Sequence, residues 1–315
     1  FAVHFKYFIV ESKKLNGHIA LFSANVIFGV NNPLSRMLMP EIISPYALTF
    51  LRFSGGMILF WIVSWFMKPE KVTSRDKVIL FFASLFALSM NQIPFFVGLS
   101  MTSPIDASIV VTMLPILTML LAALILKEPL TRLKVIGVLV GASGALMIVL
   151  NHTDGSQAGK MTGNLIVFFA VTSFSLYLTV FKSLIMRYSA ITLMKWMFLY
   201  ATITGIPFCF TSLASTDFVS MQVVDYLRIA FVIVFATFIG YLLLPVGQKV
   251  LRPTTLSMYN YVQPIMASIV AVFIGLDQFG LTQALAAVLV FTGVYIVTQS
   301  KSRAQLEAEK AALGK

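Results

Sequence analysis

One cysteine, Cys209, stands in 315 residues, so an intrachain disulfide and a thiolate metal site are both excluded. Histidine is nearly as scarce. His4, His18 and His152 lie far apart, in loops or at the edges of apolar runs, and supply no metal-ligand spacing. Charge is thin too: 11% of residues are Asp, Glu, Lys or Arg, and only 12 are acidic. The acids nearest the apolar runs, Asp106, Glu128, Asp225 and Asp277, each sit at a run's edge, which disfavours a proton relay built on a central carboxylate. No G-x4-G-K-[ST] loop is present, so ATP does not drive the protein directly. An enzyme working inside a bilayer would need paired carboxylates, a histidine set, or a Ser/His or Ser/Lys pair within the spans. Scattered histidines and peripheral acids do not supply that set. No enzyme activity, metal or cofactor is expected.

What the chain does have is apolar length. Hydrophobic residues make up 58% of it, and the mean hydropathy is +0.90. A bilayer-crossing helix takes roughly 20 apolar residues. Such stretches fall near 17–36, 46–67, 77–98, 104–126, 133–150, 163–182, 191–212, 226–246, 254–275 and 281–299. The expectation is an all-α membrane protein of about ten transmembrane helices. Residues 1–15 read as an N-terminal cytoplasmic extension with no secretory cleavage site, and 301–315 as a cytoplasmic tail.

A net charge of +11 raises the question of nucleic acid, and its distribution answers it. With the N-terminus inside, only Arg36, Arg52, Lys160 and Arg228 fall outside. Every connecting loop on the inner side carries Lys or Arg, as at Lys68, Lys71, Lys127, Lys182 and Arg252. This is the positive-inside rule, which puts both termini in the cytoplasm, and nucleic acid is not a partner.

The second half of the chain repeats part of the first. Gly98 through Gly144 returns as Gly247 through Gly293 at a constant offset of 149 residues (98 to 247, 144 to 293). Pro104 meets Pro253, Ser108 meets Ser257, and Pro115-Ile116 meets Pro264-Ile265. An odd number of spans per half inserts the halves in opposite directions. The loops agree: Lys127-Glu128-Pro129 falls inside, whereas its mate Leu276-Asp277-Gln278 falls outside and has no lysine. Two five-helix repeats, 16–150 and 163–300, are expected, joined by the polar break Asn151–Thr162. Prolines recur at matching places, Pro94 with Pro245 (two residues out of register) and Pro115 with Pro264. Interrupted helices at corresponding positions are the best sequence pointer to a carrier's central site.

Gly98, Pro104, Ala107-Ser108, Pro115, Leu126-Lys127-Glu128-Pro129-Leu130-Thr131 and Gly137/Gly141/Gly144 form one pattern. With Asn25, Gly29, Pro33 and Leu51-Arg52-Phe53, this pattern resembles the EamA family of the drug/metabolite transporter superfamily. The resemblance implies a ten-helix inverted-repeat carrier of the bacterial inner membrane that exports amino acids or other small metabolites.

Polar side chains inside a bilayer are costly and point to function. The expected solute-binding set is Asn25, Arg52, Asn91, Gln92, Thr112, Ser173, Tyr177, Tyr241, Tyr259, Asn260 and Gln263. The expected hinges are Pro94, Pro115, Pro245 and Pro264. Amides and phenols could hydrogen-bond a zwitterion, or stack a ring, without carrying net charge. Hydrogen bonding between helices competes with that role for Asn and Gln, and snorkelling competes for Arg52. Small residues on the fifth span (Gly137, Gly141, Gly144) and the tenth (Ala284, Ala287, Gly293) allow close helix approach. Packing within a monomer is favoured over a homodimer through those spans. The expected partners are a small-molecule solute and the lipid bilayer.

Overall fold

The computed structural model describes residues 2–101, 110–151, 161–273, 281–301, 305–307 and 311. Pro104–Ser108, Asp106, the break at 152–160, Leu276–Gln278 and most of the tail lie outside the described residues. Helices fall on each of the ten expected stretches. Among the described residues, five are long and apolar enough by themselves to cross a bilayer: Pro45–Trp65, Ser74–Leu99, Met161–Val180, Ala190–Ala214 and Val223–Val250. The first helix begins upstream of its apolar stretch and runs from Ala2 to Leu38.

Helix starts use the same chemistry in both halves. Ser44 caps the second span and Ser189 the seventh, each hydroxyl accepting the backbone N–H three residues on. Thr73 caps the third span, and its mate Gln222 caps the eighth in a reciprocal box with Asp225.

In lipid, burying apolar surface between helices gains little, because the tails are as apolar as the side chains; close packing of small residues gains more. The fifth span (Arg132–Asn151) lies on the tenth (Leu281–Gln299) in this way. A Cβ on Gly137 would stand 2.9 Å from the Gly293 carbonyl oxygen, and one on Gly144 would stand 2.7 Å from that of Ala286. At the 149-residue offset Gly137 maps to Ala286 and Gly144 to Gly293, so each contact is the image of the other. The two spans run antiparallel, as inverted halves require. The glycine face of the fifth span is thus spent inside the chain. Gly98 against the Gly163 carbonyl, at 2.9 Å, repeats the arrangement where the third span meets the sixth; where the eighth meets the first, Gly247 makes room for the Leu21 side chain.

The third and eighth spans share an irregularity. Each contains a π-helical stretch, Leu85–Ser89 and Val232–Ile239, a few residues before Pro94 and Pro245. A wider turn frees carbonyls, and side chains take them up. Ser173 Oγ donates to Phe86 O at 2.9 Å, and Thr237 Oγ1 donates to Val232 O at 2.8 Å. The fourth and ninth spans are interrupted rather than bent. A turn at Thr112–Met113 precedes Leu114–Ile125, and the ninth runs as Pro253–Met258, a tight 3-10 turn Tyr259–Tyr261, then Val262–Phe273. Pro115 and Pro264 therefore open helices, where a missing N–H costs nothing.

Candidate functional site: the axis between the halves

If a residue touches its own repeat mate, the contact sits on the axis that relates the halves. Two such hydrogen bonds occur among the described residues. Gln92 Nε2 donates to Tyr241 Oη at 2.7 Å, and Tyr261 Oη donates to Thr112 O at 2.9 Å. Both pairs are 149 residues apart, the repeat offset. They put an amide, two phenols and a broken-helix carbonyl on the axis, between the ends of the spans.

Other expected residues gather around it. Gln263 Nε2 donates to Asn25 Oδ1 at 2.8 Å and to Asn260 Oδ1 at 2.9 Å, tying the ninth span to the first. Asn25 Nδ2 and Asn260 Nδ2 donate in turn to Leu21 O and Ser257 O. Tyr177 Oη donates to Gln248 Oε1 at 3.2 Å. Asn91 Nδ2 donates to Ala170 O at 3.0 Å, joining the third span to the sixth. Tyr259 differs: its hydroxyl meets His18 Nδ1 at 2.7 Å, toward the end that carries the basic loops. Gln92, Thr112, Tyr241 and Tyr261 are buried, whereas Asn91, Asn260 and Gln263 are partly buried. Among the described residues, Gln92 Oε1 and Gln248 Nε2 remain without partners.

Arg52 is also buried. Its Nε–H donates to Thr237 Oγ1 at 3.1 Å, across from the second span to the π-helical stretch of the eighth. Tyr241 follows Thr237 by four residues on the same span.

Sequence reasoning missed Gln248, Thr237, His18 and the Thr118–Ser175 hydroxyl pair at 3.2 Å. Gln248 escaped because the eighth span was bounded at 246, whereas its helix runs to Val250. A polar residue in a helix that outlasts its apolar run was the signal available.

Cavities of about 610 and 560 Å3 open at the two ends of the second and seventh spans. One is lined by Glu41, Ser44, Ser215, Asp217 and Arg228, the other by Lys68, Glu70, Ser189, Thr192 and Lys195. Beside the second, the halves are fastened at the basic end. Glu70 accepts from Ser189 N at 3.0 Å and Ser189 Oγ at 2.8 Å, while Asp76 accepts from Arg187 Nη1 at 2.9 Å and Tyr188 Oη at 2.6 Å. Burial works to raise the Glu70 pKa. Hydrogen bonds from Thr192 and Ser189, with Lys249 nearby, outweigh it and hold the carboxyl below its ordinary value.

The sequence pattern of the EamA-like transporter family matches residues 15–150 and again 161–299. The chain belongs to that family. Among similar proteins, an uncharacterized transporter of Bacillus subtilis, YetK, is 23% identical over 303 residues, covering 94% of this chain and 90% of its own length. An uncharacterized transporter of Archaeoglobus fulgidus is 25% identical over 259 residues, which is 82% of this chain and 90% of that protein. A solved structure titled only as the crystal structure of a protein superposes with a TM-score of 0.74 at 16% identity, covering 90% of this chain and 98% of that one. That likeness concerns the fold. Family and relatives together make this chain a membrane-embedded transporter of small molecules.

Proposed function

We propose that the chain is a secondary carrier that exports small organic solutes, amino acids or related metabolites, across a bacterial inner membrane, with both termini in the cytoplasm. The solute binds on the axis between the halves, among Asn25, Asn91, Gln92, Tyr241, Asn260 and Gln263, with Thr112, Ser173, Tyr177 and Tyr259 completing the wall. The halves rock about that point, using the irregular backbone at Pro94, Pro115, Pro245 and Pro264. The observation that carries the reading is the pair of hydrogen bonds between repeat mates. They concentrate polar groups where two inverted halves meet, and the contacts joining the halves must be remade in every cycle. With these side chains hydrogen-bonded within the protein, we read the conformation as occluded.

The test is flux into proteoliposomes holding the purified protein. Asn260→Leu and Gln263→Leu are expected to lower flux about tenfold or more while leaving a folded protein, a factor corresponding to 1.4 kcal/mol of lost solute interaction. Unchanged flux in both variants sinks the site. Saturable flux stimulated by solute on the far side separates a carrier from a channel.

A further inference from the structure

Several other cations among the described residues have an identified electrostatic partner. Lys134 pairs with Glu128, Arg187 with Asp76 and Arg228 with Asp225. Lys195 lies over the Trp61 ring and Lys77 over Trp196. Arg252 caps the end of the tenth span through the carbonyls of Val297, Ser300 and Lys301. Arg52 stands apart. It is the eighth residue of its helix, about 10 Å beyond the helix start at 1.5 Å per residue, and only 6% exposed. Its sole hydrogen bond among the described residues is the one from Nε to Thr237, and no carboxylate there pairs with it. Thr237 spends its own hydrogen on Val232 O, so it holds the guanidinium in place without neutralising it.

A buried cation in a bilayer needs a countercharge or water. With Nε fixed, the edge that remains is the Nη1–Nη2 fork, whose spacing and planarity match a carboxylate. Four residues on from Thr237 along the eighth span, Tyr241 holds Gln92, whose Oε1 is buried and has no partner among the described residues. A cation and an acceptor that have no such partners among the described residues, held by residues four apart on the eighth span, are what a solute with both an acid group and a hydrogen-bond donor would complete.

We propose that Arg52 is the charge-recognising residue of the carrier, and that the solute bears a carboxylate which takes the free edge of the guanidinium as a bidentate ion pair. This rests on the carrier reading above. The charge balance selects carboxylate over phosphate. One cation cancels one carboxylate, whereas a phosphate dianion leaves negative charge stranded in a low-dielectric interior.

The experiment is thermal unfolding of the purified full-length protein in detergent, titrated with acids and their own primary amides. The probes are alanine beside alaninamide, phenylalanine beside phenylalaninamide, and lactate beside lactamide, with inorganic phosphate as a further arm. At least one acid is expected to stabilise the protein with an affinity about tenfold or more above that of its amide. Arg52→Lys keeps the preference in weaker form, and Arg52→Gln loses it. The wild-type comparison needs no variant, so poor folding of Arg52→Gln does not blunt the test. A panel in which no acid is preferred over its amide overturns the proposal. So does stabilisation by phosphate above every acid, or an acid preference that survives in Arg52→Gln. If the wild type transports a solute but treats acid and amide alike, only this assignment falls. If Asn260→Leu and Gln263→Leu leave flux intact, the site on the axis falls with it.

Discussion

Among the described residues, Tyr241 makes the one hydrogen bond to the Gln92 side chain, and Gln92 Oε1 is already without a partner. Tyr241→Phe therefore strands the whole amide among buried neighbours, at a cost of about 1–3 kcal/mol. Gln92→Leu alone is milder, since it also removes the orphaned oxygen. The double variant is expected to be less destabilised than the two single losses added together, and a double-mutant cycle read by unfolding in detergent checks this. Full additivity would mean that the hydrogen bond on the axis does not form. At this scale the sequence was a partial guide. Asn25, Asn260 and Gln263 could be picked out because an amide in an apolar run is conspicuous. That they satisfy one another could not, because the partners lie 238 residues apart for Asn25 and Gln263. Thr237 escaped because a threonine in a helix ordinarily bonds its own backbone; Thr237 does so and also receives Arg52.

Helices meet through glycine here, and the penalty for adding atoms can be foreseen. A Cβ at Gly293 would lie 2.5 Å from Gly141 N and 2.6 Å from Gly137 O, both backbone atoms that no rotamer change moves away. Gly293→Val is expected to push the fifth and tenth spans apart and to lower the yield of monodisperse protein sharply. The same change at an exposed position of the tenth span, such as Thr292→Val, leaves yield unaltered; equal yields would show that the contact is not tight. The fastening at the basic end carries a pH signature. Glu70 has a lowered pKa, so its contribution to stability is present above the ordinary glutamate range and is lost as pH falls through the lowered value. Between neutral pH and mildly acidic pH the melting temperature of Glu70→Gln should fall below that of the wild type, with the gap closing as acid protonates Glu70. A gap that widens in acid contradicts the assigned shift. Helix positions were legible from hydropathy because a bilayer demands long apolar stretches. The π-helical turns were not, because nothing in Leu85–Ser89 or Val232–Ile239 differs in composition from ordinary helix; only the prolines that follow marked the region as irregular.

The molecule as a whole is two inverted halves wrapped around a line through the bilayer, marked by Gln92 with Tyr241 and by Thr112 with Tyr261. The offset of 149 residues and the loop charges carried this plan before any coordinates did, since inversion follows from an odd number of spans and the bias of lysine and arginine toward one side. The most direct measurement is thiol accessibility at Gln92→Cys in a Cys209→Ala background, using a membrane-impermeant maleimide on right-side-out and inside-out vesicles. The account predicts labelling from either side in separate experiments, slowed by whichever solute the flux assay identifies. A thiol reached from neither side, or from one side only whatever the solute, would contradict a site opened alternately by rocking halves.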